Sequence, residues 1–433
     1  MRRGYFLFVF MCLGLLSRAI LPLNASAITL TLDDVIKLGV ENSLNLKKSL
    51  IDLSSSEYSA NKLWSEVFPN ISAGMGISYS SNLFTGNGFE FSKERVGYNA
   101  NVGLNITLNA GIPYSMKNIQ LAYQTRLLSY EDARNQLEIQ LTKSFYGLIA
   151  DRENLAVLSD ILNLAQLQYE RNQVAFRNGL IRELTLMQSR LNLENARYYL
   201  NTAQSSYLNR MDNFLVQIGF THNDQVTLDG SIETLMLDLD ADKLILENLP
   251  RRPDIVARRH EIERLENSAR QTANSARAPS IRLSADWSGR NFNPSSDSLS
   301  GSASVSIPID PWIPGTPRNQ TVRNTHSAIE KAKLDLQSSE ESASAQIRSL
   351  AANIKNSWVN IEIANLSLTI AQRNFELAEQ GFRSGTIESL RLEDAQNDLA
   401  YARQRLLQTE LSYFNMILDV SAALNISWRE LLQ

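Results

Sequence analysis

One segment of this chain occurs twice, and this duplication limits the available folds more than any other feature. Residues 176–181, Phe-Arg-Asn-Gly-Leu-Ile, return at 382–387 as Phe-Arg-Ser-Gly-Thr-Ile, which places the second copy 206 positions after the first. Shorter matches at the same offset flank both copies, such as Ala196-Arg197 with Ala402-Arg403. A duplication of this length predicts two copies of one structural unit, each of about 200 residues.

Proline is missing from two long stretches of the sequence. None occurs between Pro113 and Pro250, and none follows Pro317. Because proline interrupts an α-helix, these stretches favour very long helices. We predict a helix of about 60 residues, or ~90 Å, before each repeated glycine turn, and a helix of about 35–40 residues after it. Together with a shorter helix that opens each copy, the second helix nearly equals the long one in length, so the two should stack end to end beside it. Such rods need partners along their sides, as in a coiled coil or a barrel of helices.

Four shorter segments alternate between apolar and polar residues, which is typical of a β-strand with one apolar face. Two lie in the first copy, at 71–80 and 96–108, and two lie in the second, at 280–289 and 302–310. Over 96–108 every even position is apolar, whereas every odd position is Gly, Asn or Thr. Strands of this length suit the about 9–11 residues that cross an outer membrane at a tilt.

The alternation alone leaves two interpretations open. A sheet whose apolar face packs on a soluble core would show the same pattern. The polar face is rich in Gly, Ser and Asn, and polar loops at 80–95 and 290–300 join the strands, which favours a membrane barrel with a water-filled lumen. Lipid excludes open sheet edges, so a chain with only about four strands would have to share them with other copies of itself. Three copies would supply about twelve strands, a number found in natural barrels.

The first 27 residues are predicted to be a secretory signal peptide. Arg2 and Arg3 precede an apolar stretch, and Ala25-Ser26-Ala27 fits a cleavage site. Cleavage would remove Cys12, the only cysteine, so the mature chain would depend on burial or oligomerisation rather than on disulfides. Lipidation of Cys12 is the less favoured alternative. The formal net charge of −4 argues against a nucleic-acid partner.

These features together resemble the outer-membrane efflux proteins, the family of TolC-like channels. The resemblance covers nearly the whole chain after the leader. It rests on residues 30–36 and on Glu41-Asn42-Ser43, on 249–255 (Leu-Pro-Arg-Arg-Pro-Asp-Ile), and on the two glycine turns. It implies a mixed α and β membrane protein, a homotrimer whose twelve-stranded β-barrel lies in the lipid of the cell outer membrane and continues as a long periplasmic α-helical barrel. A periplasmic adaptor, or membrane fusion protein, and an inner-membrane pump would dock at its lower end.

The expected organisation has five parts, of which the two repeats are the largest. They are the signal peptide at 1–27, the first repeat at 28–219 with its helical hairpin at 115–219, a linker at 220–248, the second repeat at 249–421 with its hairpin at 318–420, and a C-terminal segment at 422–433. The resemblance implies that the linker and the C-terminal segment form a small equatorial belt around the helices.

The two glycine turns are the first candidate site. Glycine is common where a helix ends in a left-handed conformation, so a structural role alone would explain Gly179 and Gly385. The resemblance implies in addition that these turns are tips on which the adaptor docks. The residues of the two tips are Asn178, Gly179, Leu180, Ser384, Gly385 and Thr386.

Arg391 and Asp394, just beyond the second turn, are the second candidate site. The resemblance implies that the tube narrows here to a gate lined by acidic residues. Asp394 matches the second of two aspartates in the family pattern, whereas Arg391 stands in place of the first, so a purely acidic ring is not expected. An exposed ion pair between the two side chains is the simpler alternative. The resemblance also implies a tyrosine and an arginine that hold such a gate closed. Phe382 and Ile387 stand in their places here, so this chain should close differently or rest more loosely.

The sequence predicts no catalytic, cofactor or metal site. The histidines His222, His260 and His326 are scattered, and His260 with Glu263 would supply only two ligands on one helix face. Nucleotide-binding and hydrolase motifs are also missing from the sequence. We therefore expect a passive export duct of a tripartite efflux or type I secretion system, driven by the inner-membrane pump through the adaptor. The alternative is a secreted periplasmic coiled-coil structural protein.

Overall fold

The computed structural model of the chain describes residues 28–80, 95–220, 226–290 and 297–432. The predicted signal peptide with Cys12, most of the two strand-connecting loops and His222 lie outside these residues. The helices are α1 Leu32–Asn42, α2 Leu44–Asn61, α3 Ile112–Arg177, α4 Glu183–Ile218, α5 Ala241–Asn248, α6 Pro253–Arg277, α7 Pro317–Arg383, α8 Ser389–Leu424 and α9 Trp428–Leu431. The strands are β1 Ile28–Leu30, β2 Asn70–Ser80, β3 Arg95–Leu108, β4 Val226–Leu228, β5 Ser280–Arg290 and β6 Ser298–Ser306.

Two very long helices dominate the molecule. Helix α3 has 66 residues and α7 has 67, so each is about 100 Å long at ~1.5 Å per residue. Helices α2 and α4 both pack against α3, and α6 and α8 both pack against α7, so the two shorter helices of each copy lie along the long one. Helix α3 also contacts α6 and α8. The rods therefore lie side by side in the order α2 with α4, then α3, then α6 with α8, then α7.

Side chains join the stacked helices where their ends meet. In the first copy Asn42 Nδ2 donates to the carbonyl oxygen of Ile218 at 2.9 Å, where α1 ends beside the end of α4. Gly219 ends α4 with φ 91°, and a Cβ there would lie 2.4 Å from the Asn42 amide nitrogen. In the second copy Arg252 Nη1 donates to the carbonyl oxygen of Ala423 at 2.9 Å. The duplication thus repeats the junction but uses a different side chain to close it.

The first helix of the chain is interrupted, whereas the sequence predicts one helix from Leu32 to about Val67. Helix α1 ends at Asn42, and Ser43 starts a new helix by accepting a hydrogen bond from the Leu46 amide at 3.3 Å. Serine competes with helical hydrogen bonds in this way, so it starts helices more readily than it continues them. The last part of the predicted helix, Leu63–Val67, is a 3-10 helix.

Strands β2, β3, β5 and β6 form one antiparallel sheet in that order. The register places apolar residues in common rows, such as Ile71 beside Leu104 and Leu104 beside Ala285. Polar residues form the other rows, such as Asn105 beside Ser284. The apolar face is exposed to a large extent, and within the described residues β2 and β6 are unpaired edges, so one chain does not close a barrel.

Strand β6 begins at Ser298, four residues before the start expected from the alternation, and ends at Ser306 rather than at residue 310. Ser298 pairs with Ser288 and Ser300 with Asp286, so the serine-rich start of the strand completes polar rows of the sheet. Pro308 has no amide hydrogen to donate to a neighbouring strand, which accounts for the earlier end.

The hydrophobic core lies around the middle of the rods. Phe145, Leu215 and Ile218 belong to a buried cluster between α3 and α4, and Tyr413 and Ile417 belong to a second cluster between α7 and α8. Segment 226–248 and the C-terminal residues pack on these clusters. Strand β4 pairs in parallel with β1, the hydroxyl of Tyr413 donates to the carbonyl oxygen of Leu235 at 2.7 Å, and Trp428 contacts both clusters. Among the described residues, no helix has both the length and the apolar character that a membrane span requires.

Candidate functional site

The two predicted tips have the same backbone conformation. Gly179 and Gly385 adopt φ 67° and 73°, which is the left-handed region. After each glycine, the backbone amide of the next residue donates to the carbonyl oxygen five positions earlier. Leu180 donates to Ala175 at 2.8 Å, and Thr386 donates to Gly381 at 2.9 Å. This is the Schellman closure of a helix end. A Cβ on either glycine would point into open space, so backbone conformation alone requires glycine here.

The side chains of the two tips are chemically different. Leu180 of the first tip is 75% exposed, and Leu184 on the following helix is exposed as well. In the second tip, the hydroxyls of Ser384 and Thr386 both donate to the carbonyl oxygen of Gly381 at 3.0 Å. The first tip therefore presents an apolar side chain to its surroundings, whereas the second is closed by its own hydroxyl groups.

Arg391 and Asp394 lie on one exposed face at the start of α8. In the described part of the chain no ion pair joins Arg391 to Asp394. The surface ion pair that was the simpler alternative is therefore not formed. The positions related to them by the duplication are Thr185 and Gln188 on α4, which carry no charge. The charged face is thus a property of the second copy alone.

Glu393, which the sequence did not single out, connects the two hairpins. Its carboxylate accepts a hydrogen bond from Asn192 Nδ2, which joins α8 of the second copy to α4 of the first. Burial, together with the nearby charge of Asp394, raises the pKa of Glu393. Protonation of Glu393 would remove both the cost of burying its charge and the repulsion from Asp394.

Phe382 and Ile387 belong to a small apolar cluster beside the second turn. They pack with Phe375 around Leu392 and the small side chains of Ala378 and Ala395, which are buried. Gly381 admits the Ile387 side chain, since a Cβ there would lie 2.9 Å from Ile387 Cγ1. Both positions are therefore occupied by packed apolar side chains.

The histidines that the structure describes do not form a metal site. His326 is exposed on α7, and Glu263, one turn after His260, pairs instead with Lys117 at 3.3 Å. Within the described residues, no group of three or more histidine, cysteine, aspartate or glutamate side chains is placed to hold a metal ion.

The polar face of the sheet carries side chains that lie across glycines of the neighbouring strand. A Cβ on Gly74 would lie 2.8 Å from Asn101 Oδ1, and a Cβ on Gly103 would lie 2.8 Å from Asp286 Oδ1. The glycines of this face therefore allow polar side chains to lie flat on the sheet. Such a face is smooth and hydrophilic, as the wall of an aqueous lumen would need to be.

Solved structures with the same fold are outer-membrane channels. The Campylobacter jejuni outer membrane channel CmeC is 18% identical, with a TM-score of 0.75 over 91% of this chain and 85% of CmeC. The Vibrio cholerae outer membrane protein VceC is 14% identical, with a TM-score of 0.70 over 92% of this chain and 96% of VceC. The open state of the Neisseria gonorrhoeae MtrE outer membrane channel is 15% identical, with a TM-score of 0.70 over 91% of this chain and 89% of MtrE.

The comparison of sequences gives the family. No curated protein matches the chain significantly in sequence. The family model for the outer membrane efflux proteins matches residues 35–214 and 244–425, one match on each copy of the duplication. Because the two matches cover most of the sequence and the fold is that of TolC-like channels, the chain belongs to the outer membrane efflux protein family.

Proposed function

We propose that this efflux-family chain is the outer-membrane duct of a tripartite efflux or type I secretion system, and that it works as a homotrimer. The observation that carries the proposal is a sheet with an exposed apolar face, joined to rods about 100 Å long, whose edge strands β2 and β6 are unpaired in the part of the chain that the structure describes. The sheet would lie in the outer membrane and the rods would cross the periplasm. The alternative of a secreted structural coiled coil leaves the apolar face of the sheet without a partner.

Trimer formation is supported by exposed apolar stripes on the outermost helices of the chain. Helix α7 forms one side, and α2 with α4 forms the other. Both α4 and α7 carry exposed apolar stripes at intervals of three or four residues, or of seven, which is the spacing of a coiled-coil seam. The stripes are Val359, Ile363, Leu366, Ile370 and Leu377 on α7, and Leu184, Met187, Leu191 and Tyr198 on α4.

The two stripes differ from each other, so the contact between copies is head to tail and must close into a ring. Edge strand β2 adjoins the side of α2, and edge strand β6 adjoins the side of α7. One rotation would therefore join strand edges and helix stripes at the same time. With three copies the sheets would form a barrel of about twelve strands.

In this proposal the two tips dock the helical hairpins of a periplasmic adaptor, through which an inner-membrane pump drives export. The exposed Leu180 supports this role, because an exposed apolar side chain at the very end of the hairpin is suited to packing on a partner. Arg391 and Asp394 would line the gate just inside the tips. Three copies would place both charges around the lumen, where they would act on passing ions and cargo.

The first experiment is the conductance of the purified, detergent-solubilised protein across a planar lipid bilayer, together with its native mass. We expect discrete channels from a trimer. Asp394→Ala should shift the ion selectivity toward anions and Arg391→Ala toward cations. The matched control is Gln188→Ala, at the position related to Asp394 by the duplication, which should leave selectivity unchanged. A monomer that never inserts would refute the duct.

The docking role of the tips requires a separate experiment. Gly179→Val and Gly385→Val strain the left-handed turns, whereas Gly179→Asn and Gly385→Asn keep that conformation accessible. We expect the valine variants to lose chemical crosslinking to the adaptor and efflux in cells, and the asparagine variants to keep both. Crosslinking and efflux that persist in an intact valine-substituted trimer would show that the tips are not the docking surface.

A further inference from the structure

The charges on the polar face of the sheet lie mainly on strand β5. The polar positions of β2 and β6, and those of β3 from Gly97 onward, are all Gly, Ser, Asn or Thr. On β5 they include Arg282, Asp286 and Arg290, which follow one another at intervals of four residues. Two cations against one anion leave this strand with a positive polar face, although the chain as a whole has a formal net charge of −4.

Arg282 has neutral neighbours on both sides. It pairs in the sheet with Thr107 of β3 and with Ser304 of β6, and neither side chain carries a charge. Within the described residues, no hydrogen bond or ion pair holds its exposed guanidinium. Asp286 lies four residues further along the same face, which is about 13 Å away at ~3.3 Å per residue. Because arginine stays protonated in proteins, its charge here is permanent and is not neutralised locally.

The orientation of Arg282 follows from the two-residue period of the strand. Its neighbours Ile281 and Leu283 lie in rows with Leu108 and Ile106, which are apolar. The arginine therefore lies on the opposite face, with the serines and asparagines. A charged side chain that faces lipid is costly, so this face should be the one that meets water when the sheet lies in a membrane.

Arg282 also lies at a defined level of the proposed duct. It is the third residue of β5, which begins three residues after α6 ends, so it lies at the end of the sheet nearest the rods. Three copies would place three of these arginines around the lumen where the barrel joins the helical tube. The proposed gate adds one cation and one anion per chain, Arg391 and Asp394, whose charges balance. The excess positive charge is therefore on β5.

We propose that Arg282 makes the barrel part of the duct favour anions over cations, and that Asp286 opposes it. Fixed cations in a narrow aqueous passage raise the local concentration of ions of opposite charge. Anionic solutes are then the cargo class that the barrel admits most readily. The proposal rests on the proposed duct function, because it requires that the polar face line a lumen. It adds the charge class of the cargo and the residue that determines it.

The first test is the reversal potential of trimers in a planar bilayer under a KCl gradient. The salt is kept dilute, about 10 mM on one side, where the Debye length is about 30 Å and fixed charges are little screened. We expect the wild type to prefer chloride. Arg282→Gln should lower the ratio of chloride to potassium permeability on the order of twofold. Asp286→Asn should raise this ratio. Ser304→Ala changes a neighbour of Arg282 without changing charge, so it should keep the wild-type ratio.

The second test uses charged thiol reagents at two adjacent positions. Cys12, the only cysteine of the chain, is first replaced by serine. In Arg282→Cys, trimethylammonioethyl methanethiosulfonate replaces the lost positive charge and should restore the preference for chloride. Sulfonatoethyl methanethiosulfonate adds a negative charge there and should shift the preference toward potassium. Leu283→Cys, on the apolar face, should respond to neither reagent.

The outcomes separate this proposal from the duct itself. If both reagents modify Arg282→Cys but neither they nor Arg282→Gln change the permeability ratio, Arg282 does not determine selectivity and the proposal is overturned. Modification of Leu283→Cys in place of Arg282→Cys would mean that the apolar face lines the lumen, which overturns it as well. If the wild-type protein forms no channel at all, the proposed duct function fails before the question of selectivity arises.

Discussion

At the scale of single residues, the hydrogen bond from Asn192 to Glu393 is the contact with the clearest consequence for the proposed gate. It links α4 to α8 close to the end where both hairpins turn. Glu393 is flanked on α8 by Asp394, whose charge adds to the effect of burial in raising the pKa of the Glu393 carboxyl. The link should therefore depend on pH.

A raised pKa means that the folded arrangement binds the Glu393 proton more tightly than an unfolded one does, or than one in which the two hairpins separate and expose the carboxylate to water. Its favourable contribution is complete below the ordinary glutamate pKa and is lost as pH rises through the raised value. We expect the bilayer conductance of the trimer to fall as pH is lowered through this window. Glu393→Gln keeps an acceptor oxygen and cannot ionise, so it should give low conductance at all these pH values.

The matched control for this prediction is Glu194→Gln. Glu194 is an exposed carboxylate on α4 that pairs with Arg197 at 3.1 Å, half a turn from Asn192. The Glu194→Gln variant should keep the wild-type dependence of conductance on pH. A Glu393→Gln channel that titrates like the wild type would assign the pH dependence to another group.

Single residues also show how far the sequence predicts the candidate site. The duplication points directly to Gly179 and Gly385, because a left-handed helix end selects glycine locally. It gives no sign of Asn192 with Glu393. The residue related to Glu393 is Met187, and the residue related to Asn192 is Asp398, so the contact has no counterpart in the other copy. A contact across two repeats depends on how the rods pack, which local sequence does not encode.

At the scale of elements, the junctions between stacked helices determine how each rod continues past its end. Arg252 is the main connection in the second copy. It forms a two-point ion pair with Asp254, the closer contact being 2.9 Å, and also donates to the carbonyl oxygen of Ala423. Burial alone would raise the pKa of Asp254, but the hydrogen bonds and charge of Arg252 outweigh it, so that this pKa is lowered.

We predict that Arg252→Ala lowers the thermal unfolding midpoint of the detergent-solubilised protein at neutral pH, by the equivalent of about 1–3 kcal/mol, because it removes the Arg252 donor from the Ala423 carbonyl oxygen and the cation beside Asp254. The lowered pKa of Asp254 means that its contribution is present above the ordinary aspartate pKa and is lost as pH falls through the lowered value. The difference between variant and wild type should therefore shrink in acid. Arg251→Ala, next to it and exposed, is the control and should change the midpoint little. Equal effects of the two variants would contradict the role of Arg252.

The elements themselves were predicted well where one physical signal dominated. Missing prolines predict α3 and α7, and the two-residue period predicts β2, β3 and β5. Both signals depend only on residues that are close together in the sequence. The break at Ser43 and the position of β6 were not predicted. Both depend on partners elsewhere: Asn42 is held by the end of α4, and the start of β6 completes serine rows of β5.

At the scale of the whole molecule, the duplication explains why the chain has two strand pairs and two rod pairs. The fold class that the family resemblance implies is confirmed by the structure and the channel relatives. Within the described residues, one chain nevertheless leaves the sheet edges β2 and β6 unpaired. The apolar stripes on α4 and α7 cannot be interpreted from sequence alone, because a heptad spacing does not say whether a stripe faces its own chain or another. Only the order of the rods places both stripes at the outer sides.

The side of α7 gives the last prediction. A lysine in the middle of its stripe, Leu366→Lys, would bury an unpaired charge in the contact between copies but would remain exposed in a single chain, where Leu366 is 61% exposed. We expect native mass to change from trimer to monomer while the helical circular dichroism of the chain is retained. Leu191→Lys, on the opposite stripe of α4, should have the same effect because one ring uses both stripes. Leu246→Lys, at an exposed position of α5 that belongs to neither stripe, should stay trimeric. If Leu366→Lys and Leu191→Lys both stay trimeric, the copies meet through other surfaces, and the head-to-tail ring is wrong.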